Sequence, residues 1–190
     1  MKYLLTLRSW IVFAVVALPA ALPLNYLLKE NHKAAVISLC IWILLLLSWL
    51  NAAGINMFIK FREKMKINLS FFRFNIGYLY IYTIILSAAL YMQVTGKLEE
   101  RLSNPAIGLV VMVPMTIYAI IALLNAYYFV ALLIVSSEAR SIVSFKSLSK
   151  EFVLMIFFPV GIWFLHPRIA KIISKKRSAF SSANIATSDL

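Results

Sequence analysis

AAVISLCIWILLLLSWLNAAGINMF, residues 34–58, runs for 25 positions without a charged side chain. An α-helix of that length extends about 37 Å, enough to cross a hydrocarbon core of about 30 Å. Hydrocarbon offers nothing to a backbone N–H or C=O, so a crossing stretch must satisfy these groups within itself, as a helix does. This one stretch therefore sets the fold class, and the residues on either side repeat its pattern. Uncharged apolar runs occupy about 9–28, 75–94 and 107–136, with a shorter one at 152–165, and all 26 charged residues lie outside them.

The whole chain agrees with that reading. Of 190 residues, 63% are hydrophobic and 14% charged, against roughly 45–50% and 25% in a soluble domain. A soluble enzyme domain is excluded on this ground. Seven acidic residues and a mean hydropathy of +0.89 exclude a disordered tail. Each span uses about 20 residues, so this length holds four or five crossings and leaves no room for a catalytic globule. The expected fold is an all-α polytopic membrane protein with four transmembrane helices, a short re-entrant or interfacial segment and a basic amphipathic C-terminal helix. Residues 1–137 form the four-helix bundle in this scheme, and residues 138–190 form a segment on the cytoplasmic face.

Four of the five runs are long enough to cross. The run at 152–165 is short and is broken by Pro159 and Gly161, which fits re-entry or an interfacial position better than a crossing. Lys2 and Arg8 ahead of an apolar stretch also suit a signal peptide, but the run continues through Leu22, Leu24 and Leu27, so an uncleaved first helix kinked at Pro19 and Pro23 is expected. Lys and Arg counts set the orientation. Four crossings with both ends cytoplasmic place fifteen basic residues inside and four outside, whereas five crossings give ten against nine. The positive-inside rule selects four.

The net charge of +12 sits in short segments beside spans, where its role is orientation and contact with anionic lipid headgroups rather than nucleic-acid binding. The headgroup-contact residues expected are Lys60, Arg62, Lys64, Lys66 and Arg73 in the aromatic-rich loop after the second span, and Arg168, Lys171, Lys175, Lys176 and Arg177 in the tail. Ile169, Ile172, Ile173 and Phe180 share one face of a helix expected over 167–180, the pattern of a helix lying in the interface. A partner-binding helix is the competing reading, and the residues beyond form a loose end.

Membrane enzymes and ion-coupled transporters place titratable groups inside the bundle, and these spans hold no Asp, Glu, Lys, Arg or His. No catalytic, cofactor-binding or metal-binding set is expected. His32 and His166 are read as interfacial. Glu63, Glu138, Glu151 and His166 form no recognisable constellation by spacing. The polar residues Asn51, Asn56, Asn75 and Asn125 can hydrogen-bond across helices or line a path. Small-residue pairs at Ala17/Ala21, Ser48/Ala52 and Ala122/Ala126 mark packing faces, the last a candidate contact in an oligomer. The 30-residue run at 107–136 should tilt, kink at Pro114 or protrude, and Tyr118, Tyr127 and Tyr128 within it are read as packing residues.

FFPVGIWFLHPRI, residues 157–169, crowds Pro159, Gly161, Trp163 and Pro167 around one apolar cluster. It resembles a C-terminal Gly-Ile-Trp-Phe…Pro-Arg-Ile box of small uncharacterised bacterial multi-spanning membrane proteins. That resemblance implies a bacterial cytoplasmic membrane and transfers no activity. The functional expectation is a non-enzymatic accessory, assembly or effector subunit with a protein partner or a second copy of itself. The alternative is a small oligomeric channel or carrier for an uncharged or small solute.

Overall fold

A computed structural model describes residues 9–16, 19, 21–61, 68–96, 105–139, 145–157 and 161–173. Every regular element among them is helical: α1 Ser9–Val16, α2 Ala21–Leu28, α3 His32–Phe61, α4 Leu69–Val94, α5 Pro105–Ala139 and α6 Phe145–Ile156, with residues 161–173 forming α7. Three helices, α3, α4 and α5, are long and apolar enough to cross a membrane.

In the first apolar run the described residues form α1 and α2, each eight residues and so about 12 Å long; residues 17, 18 and 20 lie outside the described residues. Pro19 lies between them; it lacks an N–H to donate and disfavours helical backbone in the residue before it. Pro23 is tolerated as the third residue of α2, because the first turn has no intrahelical acceptor for its N–H groups anyway. The indole N–H of Trp42 in α3 donates to the carbonyl of Val16 at 3.0 Å, satisfying an orphan group at the end of α1.

Helix ends also extend beyond the uncharged runs. Asn68 caps α4, its Oδ1 accepting from the backbone N–H groups of Ser70 and Phe71 at 3.0 and 3.2 Å. The third run therefore becomes helical at Leu69 rather than near residue 75, and Arg73 stands on the helix, not in a loop. Asn31 accepts from the Ala34 N–H ahead of α3 in the same way. The fourth run forms a continuous helix of 35 residues through Pro114, about 52 Å of α-helix, so it exceeds a hydrocarbon core as its length required.

The three long helices pack through small residues and a ring stack. Gly54 lets the ring of Phe72 lie on the α3 backbone; a Cβ at position 54 would stand 2.5 Å from that ring. Phe72 in turn stacks on Phe129 of α5, centroids 4.3 Å apart. Ala52, Ala53, Ala122 and Ala126 are buried around this node. Ala122 and Ala126 therefore pack against the chain's own helices, which corrects the expectation that they face an oligomeric partner. Ser48 does face another helix, sharing a hydrogen bond of 3.0 Å with the Tyr80 hydroxyl.

The C-terminal helices form an antiparallel hairpin against the bundle. Arg168 reaches Glu151 midway along it. Toward the turn, Gly161 approaches Leu154 so closely that a Cβ would collide with the Leu154 carbonyl oxygen. The backbone N–H of Gly161 donates to the Phe157 carbonyl at 2.8 Å. The expected helix over 167–180 thus begins earlier, at residue 161, and continues through Pro167; residues beyond 173 lie outside the described residues. The reason is the spacing of Ile162, Leu165 and Ile169, all buried in the core, which continues one helical face N-terminal to Pro167.

Gly161→Ala should therefore cost about 2 kcal/mol or more, because the neighbour that must yield is backbone. Gly77→Ala, whose Cβ would meet nothing within 4 Å, should be neutral or stabilising by up to about 1 kcal/mol. Thermal unfolding of both variants in the same mild detergent checks the contrast; equal midpoints would remove the close approach at Gly161.

Candidate functional site

Charge meets structure where the hairpin joins the end of α5. Glu138 is the penultimate residue of α5, Glu151 lies in α6 and Arg168 in α7. The Arg168 guanidinium donates from Nε and Nη2 to the two carboxylate oxygens of Glu138, the former at 2.9 Å, and from Nη1 to Oε1 of Glu151 at 2.9 Å. The first pair is the parallel fork that the planar guanidinium makes with a carboxylate. The side chain of Glu151 is only 8% exposed, while Arg168 and Glu138 are 32% and 43% exposed. Hydrogen bonding to Glu138 first, and then to Glu151, raises the pKa of Arg168 beyond its ordinary value against an opposing desolvation. The site is therefore a permanent cation shared between two carboxylates from two different helices.

Two residues before Arg168, His166 is fully buried. The Trp49 indole N–H points at its Nδ1 from 3.5 Å, a long contact in which Nδ1 is the acceptor. His166 is therefore interior, not interfacial as the sequence suggested. Its helical register explains this: it lies beside Ile162, Leu165 and Ile169 on the face that packs into the core. His32, by contrast, is exposed at the start of α3. Among the described residues, no three His, Cys, Asp or Glu side chains come together as a group able to hold a metal ion.

Arg168 was expected at lipid headgroups, and the structure commits three of its donors to carboxylates instead. Lys171 and Arg73 are exposed on their helices, and Lys60 falls in the last turn of α3. Arg62, Lys64, Lys66, Lys175, Lys176 and Arg177 lie outside the described residues, as does Glu63.

The four asparagines behave differently from one another. Asn56 donates to the Ala52 carbonyl at 2.7 Å and Asn125 to the Ile121 carbonyl at 3.1 Å, each within its own helix. Asn51 is half-buried in α3. Asn75 is buried in α4, and its Oδ1 accepts from the Tyr118 hydroxyl of α5 at 3.0 Å; its Nδ2 finds no hydrogen-bond partner among the described residues. Around this bond the Tyr78 ring meets Tyr118 edge to face, and the Tyr78 hydroxyl donates to the Met115 carbonyl at 2.8 Å. The Tyr82 hydroxyl pairs with Thr116 at 2.8 Å. The α4–α5 seam is thus stitched by hydroxyl and amide bonds, and Tyr118 serves as a packing residue with a bonded hydroxyl.

No family model matches the chain, and no similar curated protein or solved structure was found. The geometry itself is the functional evidence.

Removing Arg168 should leave the Glu151 carboxylate buried without its cation. Arg168→Met is expected to cost about 3 kcal/mol, whereas Glu138→Gln, at an exposed pair, should cost less than about 1 kcal/mol. Adding Glu151→Gln to Arg168→Met should recover most of the loss, and a double-mutant cycle on detergent unfolding measures it; no recovery would mean that the pair is not coupled. At the α4–α5 seam, Tyr118→Phe should cost about 1–2 kcal/mol because it leaves both polar atoms of the buried Asn75 amide without a bond. The pair Tyr118→Phe with Asn75→Leu should be nearly neutral in the same assay.

Proposed function

We propose that this chain is an integral protein of a bacterial cytoplasmic membrane that acts as a non-enzymatic accessory, assembly or effector subunit. The observation that carries the proposal is the use made of its polar groups. The interhelical tyrosines, the buried asparagine and the charged triad are all engaged in bonds that hold helices to one another. Its apolar surface, meanwhile, faces outward: Phe74, Ile81 and Ile84 on α4 and Val113, Ile117 and Ile120 on α5 are exposed. Such a surface suits lipid and a helical membrane partner, either another protein or a second copy.

In this reading α1 and α2 together complete a fourth crossing beside α3, against which both pack. The basic residues of the N-terminus, of the α3–α4 connection and of the tail face the cytoplasm and its anionic headgroups, and both termini are cytoplasmic. The resemblance of the C-terminal Gly-Ile-Trp-Phe…Pro-Arg-Ile stretch to a box of small bacterial multi-spanning proteins supports the same compartment. No nucleic acid or cofactor is invoked. The competing reading, a small oligomeric channel or carrier for an uncharged or small solute, needs Asn51, Asn56, Asn75 and Asn125 to line a path. Asn56 and Asn125 bond to their own helices, which ranks it second.

The test is purification of the tagged chain in mild detergent at native expression level, with mass spectrometry of what co-elutes. A stoichiometric membrane partner is the expected result. A self-oligomer carrying only lipid, with solute flux in vesicles that Asn51→Leu and Asn75→Leu abolish, would overturn the proposal in favour of the channel.

A further inference from the structure

The outward face of the C-terminal hairpin changes character along its length. On α6 the exposed positions run from Ser149 and Lys150 to Val153, Ile156 and Phe157. On α7 they run in the reverse direction, from Lys171 at the open end to Phe164 and Trp163 near the turn. Both arms therefore expose polar groups at the open end and large apolar ones at the turn, where Ile156, Phe157, Trp163 and Phe164 are each about half exposed or more. The inward faces carry Leu148, Met155, Ile162, Leu165 and Ile169, all buried.

A hairpin lying flat on a membrane would expose a polar face along its whole length. A gradient along the axis of both arms instead fits a hairpin that passes from water into hydrocarbon. A full crossing does not fit, because both arms return to one end. The hairpin's level is fixed: Arg168, midway along α7, is tied to Glu151, midway along α6, and to Glu138, the penultimate residue of α5, so the middle of the hairpin is level with the end of a long apolar helix.

We infer that α6 and α7 form a re-entrant hairpin dipping into the leaflet on the side where α5 ends, with Val153, Ile156, Phe157, Trp163 and Phe164 bearing on lipid hydrocarbon. The seven residues from Arg168 to Gly161 carry the turn about 10 Å inward, roughly a third of the hydrocarbon thickness. The charged triad lies midway along the hairpin at headgroup level, and the open end beyond it lies on the water side. This inference rests on the membrane reading above but not on the accessory role.

The test uses the full chain carrying Cys40→Ala, reconstituted in phosphatidylcholine–phosphatidylglycerol vesicles, with single cysteines introduced by Phe157→Cys, Trp163→Cys, Lys150→Cys and Lys171→Cys. Ile120→Cys, on the exposed face of α5, is the membrane control. Bimane fluorescence at residues 157 and 163 should fall at least twofold when the acyl chains are brominated, as at residue 120. An impermeant maleimide should label positions 150 and 171 from the same side of the vesicle. Quenching at residue 120 but at neither 157 nor 163 would place the hairpin in water, and labelling of positions 150 and 171 from opposite sides would make it a crossing. Either result overturns the inference and leaves the membrane reading standing. An unquenched residue 120 would instead remove the membrane reading, and the hairpin inference with it.

Discussion

Gly54 carries no side chain, and the ring of Phe72 lies in the space that one would take. That single contact fixes how closely α4 can approach α3. Because Phe72 also stacks on Phe129, and Phe129 on Phe58, the three long apolar helices meet at one aromatic node. In a bilayer there is little hydrophobic gain in moving apolar side chains from lipid to a helix interface, so close packing and interhelical hydrogen bonds must hold the bundle. The node and its small neighbours Ala52, Ala53, Ala122 and Ala126 supply the first. The tyrosine, serine and threonine hydroxyls between α3, α4 and α5 supply the second.

The C-terminal hairpin is held by a different balance. Its inward face is apolar and buried, which suffices for adhesion but specifies its position poorly, since one aliphatic surface fits another in several registers. Arg168 removes that ambiguity. A planar fork on Glu138 and a third bond to Glu151 can be made in one arrangement of three helices, and displacing it would leave the nearly buried Glu151 carboxylate without its counter-charge. Gly161 adds a steric condition toward the turn, where no residue larger than glycine fits against Leu154.

Of the four crossings expected, three were legible as helices long and apolar enough to cross, because uncharged runs longer than about 20 residues have one common explanation in a chain this apolar. Their ends were not. Charge marks where a helix leaves hydrocarbon, while capping marks where it stops, so Asn68 starts α4 well before the uncharged stretch begins and Arg73 becomes a helical residue. His166 is misread as interfacial because it stands at the edge of an uncharged run with no acidic or cysteine companion; the spacing of Ile162, Leu165 and Ile169, which carries it inside, is there to be read. The Arg168 triad had no local signature, since its partners are 17 and 30 residues away in sequence and only the folded hairpin brings them together.

The hairpin also bears on the outline of the molecule. Entering and leaving by one face, as inferred above, the hairpin would add cross-section to one leaflet and none to the other, and the described helices would then be broader where Glu138 and Arg168 lie. A body of that shape is a wedge, around which lipids splay on one side to fill the difference. Its free energy in a bilayer would depend on curvature as well as on hydrophobic thickness, with the least cost where the membrane already bends toward the broad end.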